Sequence, residues 1–185
     1  MPFLHIGGFW MKNERYLLKV TITSVMIALT CVLTMAVRIP SPTKGYMNLG
    51  DCAVLFCGWL LGPVWGTAAG GMGSAFADLL SGYPVYIPGT LIIKAVMAFI
   101  VSLLPHFVPN SKKSRLHIGF VIGSLFAEIW MVAGYYLYEA LAIGEGFIPA
   151  LAGVWGNAVQ GAVGIAGAYF LVAIFGRTGI IKSIR

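Results

Sequence analysis

Six polar side chains stand inside apolar runs of this 185-residue chain: Asp51, Asp78, Lys94, Glu128, Asn157 and Gln160. In hydrocarbon such groups are costly unless they are paired or face a cavity, so their positions carry the most information. Lys94 and Glu128 are the sharpest candidates. Two readings fit them: they line a pocket and bind polar groups of a ligand, or they hold helices together, paired with each other or through Lys94 and Asp78. Asn157 and Gln160 are three residues apart and share a helix face. Their amides suit the edge of a heterocycle, and equally suit a link between helices. Glu128, Met131, Tyr135 and Tyr138 follow helical spacing and form one stripe, with Trp130 beside it. A carboxylate with aromatics on one face suits a flat ring that stacks and hydrogen-bonds. An aromatic belt at a membrane surface is the other reading of the two tyrosines.

Asn48 and Asp51 precede and open a helical run, where Asn48 can cap it and Asp51 can complement its dipole. The segment from Ser81 to Gly89, stiffened by Pro84 and Pro88, is a short connection or part of a lid over the pocket. There is no GxxxxGK[ST] phosphate loop. Ser74 has no base near it, because His5, His106 and His117 are all expected at the opposite end of the spans. Cys31, Cys52 and Cys57 lack metal-ligand spacing and read as small buried hydrophobes. No enzyme, cofactor or metal site is expected.

The elements that must position these residues follow from composition. Hydrophobic residues make up 59% of the chain and charged residues 10%, with a mean hydropathy of +0.89. That leaves too little polar surface to cover a water-soluble globule, whereas a bilayer accepts apolar side chains on the outside of the fold. Spans are expected near Tyr16–Val37, Gly89–Leu104, Ile118–Leu141 and Phe147–Phe175. The apolar stretch Cys52–Leu80 exceeds one ordinary span and is interrupted at Gly62-Pro63. Splitting it there gives six spans with the N terminus inside. Lys12, Arg15, Lys19, Lys112, Lys113, Arg115, Arg177, Lys182 and Arg185 then all face the cytoplasm, nine of the twelve basic residues. Five spans would break the positive-inside rule. The net charge of +6 is therefore a matter of topology, and no nucleic acid is expected. Met11 reads as a natural start, or the ten residues before it as peripheral. The expectation is an all-α membrane protein, a compact bundle of six transmembrane helices with cytoplasmic N and C termini. Residues 1–15 and 177–185 are cytoplasmic segments flanking a membrane domain of 16–176. The polar residues gather in its outer half.

Small residues at helical spacing, Ser24 and Ala28 or Gly66, Gly70 and Gly73, allow close helix approach within the bundle or to a partner.

Asn48 to Val96, NLGDCAVLFCGWLLGPVWGTAAGGMGSAFADLLSGYPVYIPGTLIIKAV, resembles the S component of energy-coupling factor (ECF) transporters, in the riboflavin-type group. Its NLGD start, LGP turn, ADLLSGY ending and following IIK form a long ordered pattern. Gly156–Gly161, GNAVQG, resembles the family's last helix. The resemblance implies a bacterial plasma-membrane subunit that captures a water-soluble vitamin or precursor from outside. Energy would come from a transmembrane coupling protein (the T component) and two cytosolic ATPases. It maps a substrate pocket onto Asn48, Tyr86, Lys94, Glu128, Tyr135, Asn157 and Gln160, and the coupling-protein contact onto Ser24 and Ala28. The NLGD and ADLLSGY pattern is closer to pyridoxine or hydroxymethylpyrimidine carriers than to riboflavin carriers. A stand-alone ion-coupled transporter using Glu128 or Asp78, and a structural subunit without ligand, are the competing readings.

Overall fold

The structure is a computed structural model and describes residues 3–41, 43, 45–103, 115–176 and 178; for residues 3–13, 15, 115 and 116 it describes the backbone alone. Helix α1 (Phe3–Ala36) runs into a small antiparallel hairpin of β1 (Arg38–Pro40) and β2 (Tyr46–Asn48), with Ile39 opposite Met47. Helix α2 (Gly50–Ser81) follows, then a 3-10 turn (Pro84–Tyr86) and α3 (Ile87–Leu103). Helix α4 (Phe120–Leu137) is flanked by π-helical turns at Arg115–Gly119 and Tyr138–Ala142, and α5 (Phe147–Phe175) closes the described fold.

Helix α2 is broken where the sequence predicts it. Gly62 takes φ 82° and ψ −172°, a conformation open to glycine but costly to other residues, and Pro63 follows it. The chain reverses there. A β-carbon on Gly66 would lie 2.6 Å from the Cys57 carbonyl oxygen, and one on Gly70 would lie 3.1 Å from a Val54 methyl. In a continuous helix Cys57 and Gly66 would stand about 13 Å apart along the axis. Residues 50–61 and 63–81 are therefore two antiparallel arms, zipped through glycines.

Five helices among the described residues are long and apolar enough to cross a membrane: Tyr16–Ala36, Gly50–Ser81, Pro84–Leu103, His117–Ala142 and Phe147–Phe175. The expected count of six is not reached on this measure, which takes both arms of α2 as one helix. Taken alone, the 12 residues of the first α2 arm rise only about 18 Å, short of the hydrocarbon thickness. The basic clusters behind the expected orientation of the termini fall mostly outside the described residues. This holds for Lys112, Lys113, Arg177, Lys182 and Arg185, for His106, and for the side chains of His5, Lys12, Arg15 and Arg115.

Helix α2 packs against α1, α3 and α5, and α3 and α5 each pack against α4. Val54, Leu55, Met97, Val101, Phe120, Met131 and Val172 form the centre of the apolar core. The outer faces of α1 and α5 are apolar as well, with Tyr16, Leu17, Val25, Val32, Ile148, Trp155 and Phe170 exposed. Such a surface has a solvent in lipid, not in water. The reversal at Gly62 brings both ends of α2 to the hairpin end of the bundle. There Gly82, with φ 81°, caps α2, and the Tyr83 amide donates to the Asp78 carbonyl at 2.9 Å. The functional side chains collect at this end.

Candidate functional site

Asp51, fully buried in the first turn of α2, is the hub of a polar network. Lys94 of α3, 2% exposed, forms an ion pair with Asp51 Oδ1. Gln160 of α5 donates from Nε2 to Asp51 Oδ2 at 2.7 Å. The other end of the same amide accepts from the Asn48 backbone N–H at 2.7 Å. Asn48 Oδ1 in turn accepts from the Gly50 N–H at 2.8 Å in an Asx-type turn that leads into α2, whose N-cap position is Leu49 and carries no side-chain cap. The Lys94 ammonium also lies 5.3 Å from the centre of the Tyr135 ring, within cation–π range. Three helices and the hairpin are thus tied to one buried carboxylate.

Glu128 of α4 sits beside this hub, 6% exposed, with neither carboxyl oxygen in a hydrogen bond. It lies over Gly161 and Gly164 of α5, where added β-carbons would come 2.9 Å and 3.1 Å from its oxygens. Small residues on α5 make the room that this side chain occupies.

Above the hub lies a small cavity of about 30 Å³ lined by Ser41, Gly45, Tyr46, Asn48, Asp78, Tyr86, Thr90, Tyr135, Glu139, Asn157 and Gln160. Two carboxyl groups mark its walls. Tyr46 of β2 donates to Asp78 Oδ1 at 2.8 Å. Burial, then the Asp78 carboxylate, holds the Tyr46 hydroxyl above its ordinary range, so it stays a donor. Glu139, in the π-helical turn after α4, accepts from Thr43 Oγ1 at 3.0 Å and from the Tyr86 hydroxyl at 3.3 Å. Gly153 of α5 lies against both Thr43 and Glu139, and Gly45 lies against Tyr86. Thr43, between β1 and β2, is thereby fastened to the turn after α4. Tyr135 and Thr90 share a 3.0 Å hydroxyl contact on the cavity's inner side. The Tyr46 and Tyr83 rings stand 4.7 Å apart at 48° and add an aromatic rim.

Of the residues expected to form a pocket, Asn48, Tyr86, Tyr135, Asn157 and Gln160 line this cavity, whereas Lys94 and Glu128 stand outside its lining. Lys94 pairs with Asp51, a partner the sequence reading did not offer it. Ser24 and Ala28 lie on an exposed face of α1. Gly66, Gly70, Gly71 and Gly73 pack the bundle on itself, Gly71 against Ala95 of α3 and Gly73 against Thr30 of α1. Glu139, Tyr46 and Thr43 were missed. For Glu139 a signal existed: it falls four residues after Tyr135, continuing the stripe from Glu128.

A polar cavity at the end of an apolar bundle is a candidate site for a small polar molecule. The comparisons decide the family. The sequence profile of the ECF-type riboflavin transporter S component matches residues 16–177. The chain belongs to this family. It is an S component, an integral membrane protein of a transporter family and not of an enzyme family. The S component is 27% identical over 177 residues to the thiamine precursor transporter HmpT of Lactococcus lactis subsp. cremoris, covering 95% of this chain and 98% of that protein. It is also 38% identical over 135 residues to an uncharacterized protein in the gap 3′ region of Pyrococcus woesei, covering 72% of this chain and 85% of the relative.

Proposed function

We propose that this chain is the membrane subunit that captures a water-soluble vitamin or precursor from outside for ATP-driven import. The observation that carries the reading is the polar cavity at the hairpin end of the bundle, with Asn48, Tyr86, Tyr135, Glu139 and Gln160 in its wall. The family and the likeness to a thiamine precursor transporter support a single-ring vitamin precursor, of pyridoxine or hydroxymethylpyrimidine type, ahead of riboflavin itself. In this reading Asn48, Tyr86, Tyr135, Asn157 and Gln160 contact the substrate, and Lys94 and Glu128 shape the site from behind.

The fold-back at Gly62 supports counting the two arms of α2 as separate passes, which gives six spans and cytoplasmic termini within a membrane domain of 16–176. Ser24 and Ala28, on the exposed side of α1, are then available to a transmembrane coupling protein that works with two cytosolic ATPases. The S component supplies recognition and the partners supply energy.

Uptake of labelled vitamin precursors in cells with and without the coupling protein and ATPases tests the reading. Uptake that requires all of them supports it. Full uptake by the chain alone would overturn it in favour of an ion-coupled transporter, and a chain purified without any bound small molecule, with no uptake under either condition, would favour a structural subunit.

A further inference from the structure

Helices α4 and α5 part along a seam on the outside of the bundle, where Leu125 and Ile129 are exposed. Two adjoining grooves follow this seam, of about 560 and 480 Å³, and share Ala162 and Ile165 in their linings. The first reaches Tyr136, and the second ends at His117 and Tyr169, whose rings stand 5.7 Å apart. By helix rise, Tyr136 and His117 are about 28 Å apart along α4, close to the roughly 30 Å of hydrocarbon in a bilayer. The seam therefore runs through the whole apolar thickness.

Glu128 stands near its mid-length, 6% exposed, and neither carboxyl oxygen has a hydrogen-bond partner among the described residues. Its Oε2 lies over Gly161, which itself lines the groove, so the carboxyl faces the seam. The donors behind it are turned elsewhere, Lys94 to Asp51 Oδ1 and Gln160 Nε2 to Asp51 Oδ2. A proton shared with Asp51, which meets Glu128 around Gly164, would use one oxygen and leave the other. Two carboxyl groups thus stand with one ammonium in this buried cluster, and a group left so at mid-membrane is costly.

Depth and chemistry limit what fills the seam. A lipid chain reaches across its own leaflet only, and hydrocarbon carries no donor. A transmembrane helix spans the full thickness and can bring a donor side chain to the level of Glu128. The walls suit a helix, since Ala133 of α4 and Ala158, Gly161, Ala162 and Ala166 of α5 are small enough for close backbone approach. Helix α1 packs chiefly on α2 and adds nothing to this lining, so the face that carries Ser24 and Ala28 is a separate surface. We propose that the α4–α5 seam docks a transmembrane helix of a partner protein, one that presents a basic or amide side chain at mid-membrane to Glu128.

Energy transfer between the labelled full-length chain and labelled synthetic peptides in phosphatidylcholine vesicles tests this. The peptides are a leucine–alanine transmembrane helix and the same helix with one central lysine or glutamine, diluted until they do not pair with one another. The lysine and glutamine peptides are expected to associate about 5- to 30-fold more tightly than the apolar one. Glu128→Leu should erase most of that preference. Ala162→Phe, which fills the groove and leaves the carboxyl in place, should weaken association of the polar peptides. Both variants are checked for an unchanged unfolding temperature. Equal association of polar and apolar peptides with the unaltered chain overturns the proposal. So does a preference that survives Ala162→Phe, which would place the contact on another face. Transfer between labelled copies of the chain that is lost in Ala162→Phe would make the seam a self-association surface. A lipid retained on the purified chain and lost in Ala162→Phe, with no peptide bound, would make it a lipid site. Either result overturns the partner helix.

Discussion

Thr43 and Glu139 stand 96 positions apart in the chain and meet in one 3.0 Å hydrogen bond, Thr43 Oγ1 donating to Glu139 Oε1. The contact joins the loop after α1 to the turn after α4, so one bond links the first and the last third of the fold. The Tyr86 hydroxyl reaches the same oxygen at 3.3 Å and the Thr43 carbonyl at 3.4 Å. Thr43 is therefore held through both its side chain and its backbone.

Loosening this fastening should free the loop before it unfolds the bundle. Thr43→Val removes one donor, worth about 1 kcal/mol, and Thr43→Val with Tyr86→Phe removes both. Limited proteolysis at residues 41–45 is expected to accelerate in the single variant and further in the double. Rates unchanged in the double variant would show that the loop is held by something else.

Gly153 offers the same test with both partners left in place. A β-carbon there would lie 2.7 Å from Glu139 Oε2 and 2.9 Å from Thr43 Oγ1. Gly153→Ala should displace the Thr43–Glu139 contact and speed ligand dissociation, with a fall in unfolding temperature of only a few degrees. A dissociation rate equal to that of the unaltered chain would mean that the contact tolerates the added methyl.

The Lys94–Asp51 pair should behave as a unit. Lys94→Met strands a fully buried carboxylate and is expected to destabilise the chain by about 3–5 kcal/mol. Lys94→Met combined with Asp51→Asn should recover most of that loss, since neither charge then remains alone. Thermal unfolding in detergent measures the cycle. Additive losses in the double variant would deny the coupling.

The two glycines of the α2 reversal should rank by mechanism. Gly62→Ala meets no neighbour within 4 Å and bears only the cost of a backbone conformation nearly confined to glycine, about 1–3 kcal/mol. Gly66→Ala drives its methyl into the Cys57 carbonyl at 2.6 Å, against backbone that cannot turn aside. The expected order in unfolding temperature is unaltered chain, then Gly62→Ala, then Gly66→Ala. The reverse order would mean that the arms are less tightly zipped.

What the sequence revealed and what it hid divide along chain distance. The Gly62-Pro63 break is legible because its cause is local, a glycine able to take a positive φ followed by a residue without an N–H. The bounds of α5 are legible for the same reason, since Gly146 and Phe175 bracket an uninterrupted apolar run. The β1–β2 hairpin was read only as a polar loop. Strands of three residues carry too little alternation to register, and their pairing is set by α1 and α2 arriving side by side. Lys94 was legible as costly but not as the partner of Asp51, because that pairing follows from how α2 lies on α3. Glu139 was overlooked although it continues the Glu128–Tyr135 stripe. Its neighbour Tyr138 carries the aromatic signal there, and its own hydroxyl turns aside to the Val85 carbonyl at 2.7 Å.

The reversal at Gly62 also bears on how the chain enters a bilayer during synthesis. An arm of 12 residues offers about 18 Å of helix, too little to halt in the membrane alone. The arm after it is longer, and the glycine seam of Gly58, Gly66 and Gly70 has faces only for its own hairpin and for α3. The two arms are thus suited to leave the insertion machinery together, as a preformed pair. The Asp51 carboxylate would then wait near the lipid surface until α3 delivers Lys94 to it, so burial of the charge completes the assembly and does not begin it.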